Sequence, residues 1–125
     1  DPASIRLLKP LKVAEDTTFS VGDDVYIAGY PMVDNLQKHY DLTSPLLVVK
    51  KGVVAAKIAG RNRKAPFIIL DTIWDVGMSG GPVIHVPTGN VIGVVSSRPA
   101  FNNVPLEIVA SPSGDQILEV IRENL

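Results

Sequence analysis

Short apolar runs rich in β-branched residues recur along the chain: Val25-Tyr26-Ile27-Ala28, Leu46 to Val49, Val53 to Ile58, Phe67 to Leu70, Val83 to Val86, Val91 to Val95 and Leu106 to Ala110. Gly, Pro, Asn and Asp separate them, and runs of this length and composition predict the strands of an all-β barrel or sandwich. Pro87-Thr88-Gly89-Asn90 fits a hairpin turn between two of the runs, with Gly89 or Asn90 at positive φ. After Ala110 the period changes. Ser111 is a candidate N-cap, Pro112 suits the first helical position, and Ile117, Leu118, Ile121 and Leu125 share one helical face. A terminal helix over residues 111–124 is therefore expected to pack on the barrel, with Asp115 and Glu119 early and Arg122 late complementing its dipole.

At 125 residues, 46% of them hydrophobic and 20% charged, the chain has enough apolar surface for one core and is expected to be a single domain over residues 1–125. A net charge of −1 provides no general field for nucleic acid or anionic lipid. Six of the twelve basic residues, Lys50, Lys51, Lys57, Arg61, Arg63 and Lys64, lie close together in sequence. Without interleaved aromatics for base stacking they read as a solvated strand edge guarded by lysine, so neither a nucleic-acid nor a membrane partner is expected. The absence of cysteine removes disulfides, thiolate zinc sites and a cysteine nucleophile, and the reading calls for no cofactor or metal. The start, Asp1-Pro2-Ala3-Ser4, lacks the regions of a signal peptide, and no run approaches the roughly 18 apolar residues of a membrane helix. The compartment stays open between cytoplasm and periplasm.

The chemistry concentrates in Asp71-Thr72-Ile73-Trp74-Asp75-Val76-Gly77-Met78-Ser79-Gly80-Gly81-Pro82-Val83-Ile84. A nucleophilic serine needs a bend that exposes its hydroxyl and amide N–H groups that converge where the substrate oxygen becomes negative. Glycines at minus two, plus one and plus two of Ser79 permit that bend, and the amides of Gly77 and Ser79 are placed to form an oxyanion hole. Pro82 then opens a strand without requiring a ladder hydrogen bond. The alternative is a glycine-rich turn with no catalytic role.

Gly77-Met78-Ser79-Gly80-Gly81-Pro82-Val83 resembles the nucleophile motif of the chymotrypsin-like serine proteases. With Asp71 eight residues before the serine, Gly29-Tyr30-Pro31, and Lys51-Gly52-Val53-Val54-Ala55, the chain is similar to the bacterial trypsin-like peptidases of the high-temperature-requirement type from about Ile5 to Leu125. The resemblance implies the second barrel of such a protease: an antiparallel six-stranded Greek-key barrel with a C-terminal α-helix, in which residues 1–10 are the connection between barrels. It also implies a serine endopeptidase acting through an acyl-enzyme on a polypeptide substrate, with Ser79 as nucleophile. The family braces its loop with an acid just before the serine. Met78 stands there, so the brace is expected from packing, from the Asp71 strand end and from Asp75.

A triad also needs a histidine and an orienting acid. In the resembled family both come from the N-terminal barrel, and Ser4-Ile5-Arg6-Leu7-Leu8-Lys9 matches the run that opens with the aspartate, leaving Ser4 in its place and Asp1 three residues early. The two histidines present, His39 and His85, are expected at the surface, His85 pointing away from Ser79. The chain thus reads as a fragment whose N-terminal barrel supplies His and Asp, inactive alone; the competing reading is a non-catalytic peptide-binding or scaffolding barrel. The resemblance assigns substrate binding to Ile73, Trp74, Ser96, Ser97 and Arg98. Ile73 stands where a trypsin-type pocket holds an aspartate, so an apolar pocket is expected, with Arg98 at the rim attracting acid. The 96–98 edge offers strand addition to a peptide, and Trp74 is equally suited to plain core packing.

Overall fold

Alternation sets the inward face of the strands up to residue 85. The computed structural model describes residues 10–30, 38–43, 46–60, 66–72, 78–96, 100–101, 104–105 and 109–124. In β1 (Asp24–Gly29) Val25 and Ile27 are buried and Tyr26 between them is exposed, as the two-residue period of a pleated strand requires. β2 (Val48–Ile58) buries Val54, β3 (Phe67–Asp71) buries Ile68 and Leu70, β4 (Pro82–His85) buries Val83, and β5 (Val91–Val94) buries Ile92. Ala14, Phe19, Met78 and Val95 complete this core. β6 (Ala100–Phe101) and β7 (Val104–Pro105) form a separate ribbon, and β8 (Val109–Pro112) leads into α1 (Gly114–Glu123).

The main sheet runs β5-β4-β1-β2-β3-β8, all antiparallel. β1, β2 and β3 follow one another and β4 returns beside β1, which is the Greek-key order. The two edge strands meet through a bridge between Gly93 and Ser113, where a Cβ on residue 93 would overlap the Ser111 hydroxyl. The result is a nearly closed six-stranded antiparallel barrel with one C-terminal helix, as the sequence leads one to expect.

Two boundaries differ from the sequence reading. Val48 and Val49 of the first run and Val53 to Ile58 belong to one strand, because Gly52 pairs with Val25 inside the ladder instead of turning the chain; a register shift between Val54 and Ala56 bends it. Ser111 is not a helix cap: Ser111 and Pro112 pair with Ile68 and Phe67 in β8. The cap position falls to Ser113, whose extended backbone precedes a helix starting at Gly114. Ile117 and Leu118 of the expected apolar face are half-buried and Ile121 is exposed. The hairpin of residues 86–90 forms as expected, with Gly89 at φ +72.

Side-chain clips tie the segment before β1 to the barrel. Lys57 donates from Nζ to the carbonyls of Asp16 and Phe19 and lies 4.5 Å over the Phe19 ring, so it is a fixed cation of the fold and not part of a free basic strip. Arg61, Arg63 and Lys64 lie outside the described residues. Asp16 and Asp115 each accept the other's backbone N–H, at 2.9 and 3.0 Å. Asp23 accepts from the Ser20 N–H at 2.9 Å and contacts His85 Nε2 at 2.8 Å. The Ser20 amide first, then His85, hold the Asp23 carboxyl below its ordinary 3.8. A carboxyl lowered by folding stabilises the fold above its unfolded value, and that contribution is lost as pH falls through the folded value. Urea unfolding midpoints of the wild type and Asp23→Asn are therefore expected to differ near neutrality and to converge below about pH 4; a gap unchanged down to pH 3 would contradict this.

Candidate functional site

The described part of the serine loop is a tight turn clasped on two sides. Met78 is 2% exposed and belongs to the core, whereas the next residue, Ser79, is exposed. Gly80 adopts φ +87, a conformation that L side chains rarely take. Its N–H donates to the Val95 carbonyl at 2.8 Å, the Val95 N–H donates back to the Gly81 carbonyl at 2.9 Å, and the Gly81 N–H donates to the Met78 carbonyl at 3.0 Å. These bonds fasten the turn to the end of β5. On its other side Gly81 lies so close to the end of β1 that a Cβ would overlap the Ala28 carbonyl oxygen. The two glycines thus serve different ends, one a backbone conformation and the other a close approach. Met78, in place of an acid, anchors the turn by packing. Asp71 ends β3 opposite Val53, and Asp75 lies outside the described residues.

Beside the turn is a cleft of about 490 Å³ lined by Ala28, Gly29, Tyr30 and Leu47 and by the loop from Ser79 to Pro82. Its apolar walls come from the ends of β1 and β2. The β1–β2 register pairs Ala28 with Val49 and Gly29 with Val48, so Tyr30 and Leu47 are the next opposed positions beyond the ladder. Both are open to solvent, at 48% and 54%. The sequence reading used Gly29-Tyr30-Pro31 only as a mark of kinship and assigned neither residue to the site. A tyrosine directly after a strand-ending glycine was the available signal. A second hollow, of about 370 Å³ between Glu15 and Asp115, Glu119 and Arg122 of α1, has no candidate nucleophile among its described lining residues.

Of the expected site residues, Ser79 is in this turn and Ser96 follows β5 as an exposed residue. Gly77, Ile73, Trp74, Ser97 and Arg98 lie outside the described residues, as do Ser4 and Asp1. The structure corrects the view of His85 as a surface residue: it is 3% exposed. Its Nε2 is 2.8 Å from Asp23 Oδ2 and its Nδ1 is 2.8 Å from Thr88 Oγ1. A carboxylate can only accept, so Nε2 carries the proton when the ring is neutral, and Nδ1 accepts from the Thr88 hydroxyl. Neither nitrogen is left to take a proton from Ser79. His39 is exposed, edge-on to Tyr40.

The family profile described as trypsin-like peptidase domain matches residues 3–94. Comparison with curated proteins gives no match. Among solved structures, the HtrA-type protease AlgW with decapeptide superposes with a TM-score of 0.68 at 19% identity, covering 93% of this chain and 33% of that one. A second AlgW structure, with tripeptide, gives 0.67 at 21% identity over 93% and 36% of the two chains. An inactive form of Rv3671c from M. tuberculosis H37Rv gives 0.67 at 18% identity over 94% and 54%. The chain therefore spans about a third of AlgW and about half of that Rv3671c chain. At these identities the likeness is one of fold.

Proposed function

The chain belongs to the trypsin-like peptidase family, and we propose that it is the nucleophile-bearing barrel of a serine endopeptidase. The observation that carries this reading is the exposed Ser79 on a glycine turn clasped between β1 and β5, beside an open cleft. In the proposed reaction Ser79 Oγ attacks the scissile carbonyl and forms an acyl-enzyme, while the amides of Gly77 and Ser79 hold the oxyanion. The proton of the hydroxyl passes to a histidine and from it to the leaving amine; water then attacks the ester and frees the acid. The proposed base is a histidine outside this chain, a reading supported by His85, both of whose nitrogens are engaged. The proposed source of the His, with its Asp, is an N-terminal barrel joined through residues 1–10. The helix α1 (Gly114–Glu123) follows the last strand of this barrel. The substrate is a polypeptide, a reading supported by the peptides in the AlgW structures. Its residue before the scissile bond is taken up by Ile73, Trp74, Ser96, Ser97 and Arg98, in an apolar pocket.

The experiment is fluorophosphonate labelling followed by peptide mapping. Stoichiometric labelling at Ser79 in the full-length protein and slow labelling of the 125-residue chain are expected, because an unassisted serine hydroxyl is a weak nucleophile. Rapid labelling of the chain alone would reveal a base within it. The engaged His85 also fits a non-catalytic peptide-binding barrel. Absence of labelling in the full-length protein, with peptide binding retained, would decide for that second reading.

A further inference from the structure

We infer that Thr88, the buried His85 and Asp23 form a second nucleophilic site, in which the Thr88 hydroxyl takes an acyl group from an activated ester. The inference stands apart from the peptidase reading, since it uses neither Ser79 nor any residue outside this chain.

The three residues meet where β4 ends beside the start of β1. His85 closes β4, is 3% exposed and pairs with Val25 of β1. Asp23 directly precedes that strand, and its Oδ2 lies 2.8 Å from His85 Nε2. The hairpin after His85 then folds back on it. The Gly89 N–H donates to the His85 carbonyl at 2.7 Å, and exposed Thr88 brings its Oγ1 to 2.8 Å from Nδ1.

The acid fixes the direction of each bond. The Ser20 amide first, and then His85, hold the Asp23 carboxyl below its ordinary 3.8, so near neutrality it is an anion and can only accept. Nε2 of the neutral ring therefore holds the proton, Nδ1 presents its lone pair, and the Thr88 hydroxyl donates to it. A hydroxyl bonded to a base that a third group orients is the arrangement that activates a nucleophile. The ring nitrogens are exchanged relative to the usual order, but the roles of hydroxyl, base and acid are unchanged. The Asn90 N–H also donates to Thr88 Oγ1, at 3.3 Å, which favours negative charge growing on that oxygen.

In the proposed step Thr88 Oγ1 bonds to the ester carbonyl carbon while its proton passes to His85 Nδ1. The adduct expels the alcohol portion, which leaves with its bonding pair and takes the proton from Nδ1. The products are an ester of Thr88 and a free alcohol, with the neutral ring restored. Asp23 stabilises the imidazolium between the two events. Thr88 lines neither of the two hollows, so reactivity comes from a good leaving group instead of from bound substrate, and aryl esters are the class that fits.

The test uses full-length protein carrying Ser79→Ala, so that its outcome is independent of the peptidase site. The protein is incubated with p-nitrophenyl acetate, and acetylation is located by peptide mapping. Hydroxylamine, which cleaves esters and spares the amides formed on lysine, identifies the linkage. One acetyl ester on Thr88 is expected, retained at that position in Thr88→Ser and lost in Thr88→Val. His85→Gln and Asp23→Asn are expected to slow it by about a hundredfold or more, the contribution of a positioned base. A clip that merely holds the hairpin would show no such rate difference. Asp23→Asn keeps the shape of the acid and carries the test where His85→Gln lowers the melting temperature. Thr88 left unacetylated in the Ser79→Ala protein overturns the inference, as does acetylation equally fast with and without Asp23→Asn. Threonine carries two heavy atoms on Cβ, so its hydroxyl reaches the open face of a planar carbonyl more readily than the crowded phosphorus of a fluorophosphonate. Acetylation at Thr88 and fluorophosphonate labelling at Ser79 thus report on separate sites.

Discussion

Ser79→Ala in the full-length protein is expected to lower peptide turnover by about five to six orders of magnitude, the scale seen when a serine nucleophile is removed. Peptide affinity should stay nearly constant. The two effects separate because in the proposed reading the hydroxyl contributes the bond-forming atom, whereas affinity comes from backbone hydrogen bonds along a strand edge and from side-chain pockets. Ser79 is exposed, and the turn is fastened by Gly80, Gly81 and Val95 backbone groups and by the Met78 side chain. Truncating the serine therefore leaves every one of those contacts in place. Initial rates and fluorescence anisotropy on one peptide measure both quantities. Unaltered turnover would reject Ser79 as nucleophile, and a parallel loss of affinity and turnover would assign the residue to binding.

The barrel was legible because its strands obey a local rule. In β1, β3 and β4 the apolar residues fall within five or so positions bounded by turn formers, and their burial alternates as the pleat dictates. The loop around Ser79 was legible for a related reason, since Gly-x-Ser-Gly-Gly-Pro packs its conformational demands into consecutive residues. Where local chemistry allows two outcomes, the tertiary structure decided. Ser111-Pro112 reads equally as a helix start or as the end of an edge strand, and pairing with β3 selected the strand. Gly52 reads as a break, yet its partner Val25 carries the ladder through it. His85 looked like a polar residue on a strand end. Its burial depends on Asp23, 62 positions away, meeting one nitrogen while Thr88 meets the other. The cleft was hidden for the same cause, because Tyr30 and Leu47, far apart in sequence and just beyond the β1–β2 ladder, line one cleft.

The serine turn also sets a contrast between two adjacent glycines, with the larger cost expected at the second. Gly80 has φ +87 and open space around a built Cβ, so Gly80→Ala meets backbone strain alone, about 1–2 kcal/mol for a left-handed L residue. At Gly81 a Cβ would overlap the Ala28 carbonyl oxygen and come within 3.1 Å of the Met78 carbonyl oxygen. Both obstacles are backbone. Neither can swing aside as the end of a flexible side chain does, and Ala28 is held opposite Val49 in the β1–β2 ladder while the Met78 carbonyl accepts the Gly81 N–H. Relief requires the turn to lift from β1, which strains the bonds to Val95 and withdraws Met78 from the core; about 3 kcal/mol or more is expected, at the upper end of overpacking costs. For a domain of this size that lowers the melting temperature by more than about 10 °C, against roughly 5 °C for Gly80→Ala. Thermal unfolding of the two variants measures the difference. Gly81→Ala should also slow fluorophosphonate labelling of Ser79 in whatever fraction stays folded, because the same lift displaces the serine from its flanking strands. Equal melting temperatures for the two variants would mean that the turn is not pressed against β1, and the two-sided clasp would have to be abandoned.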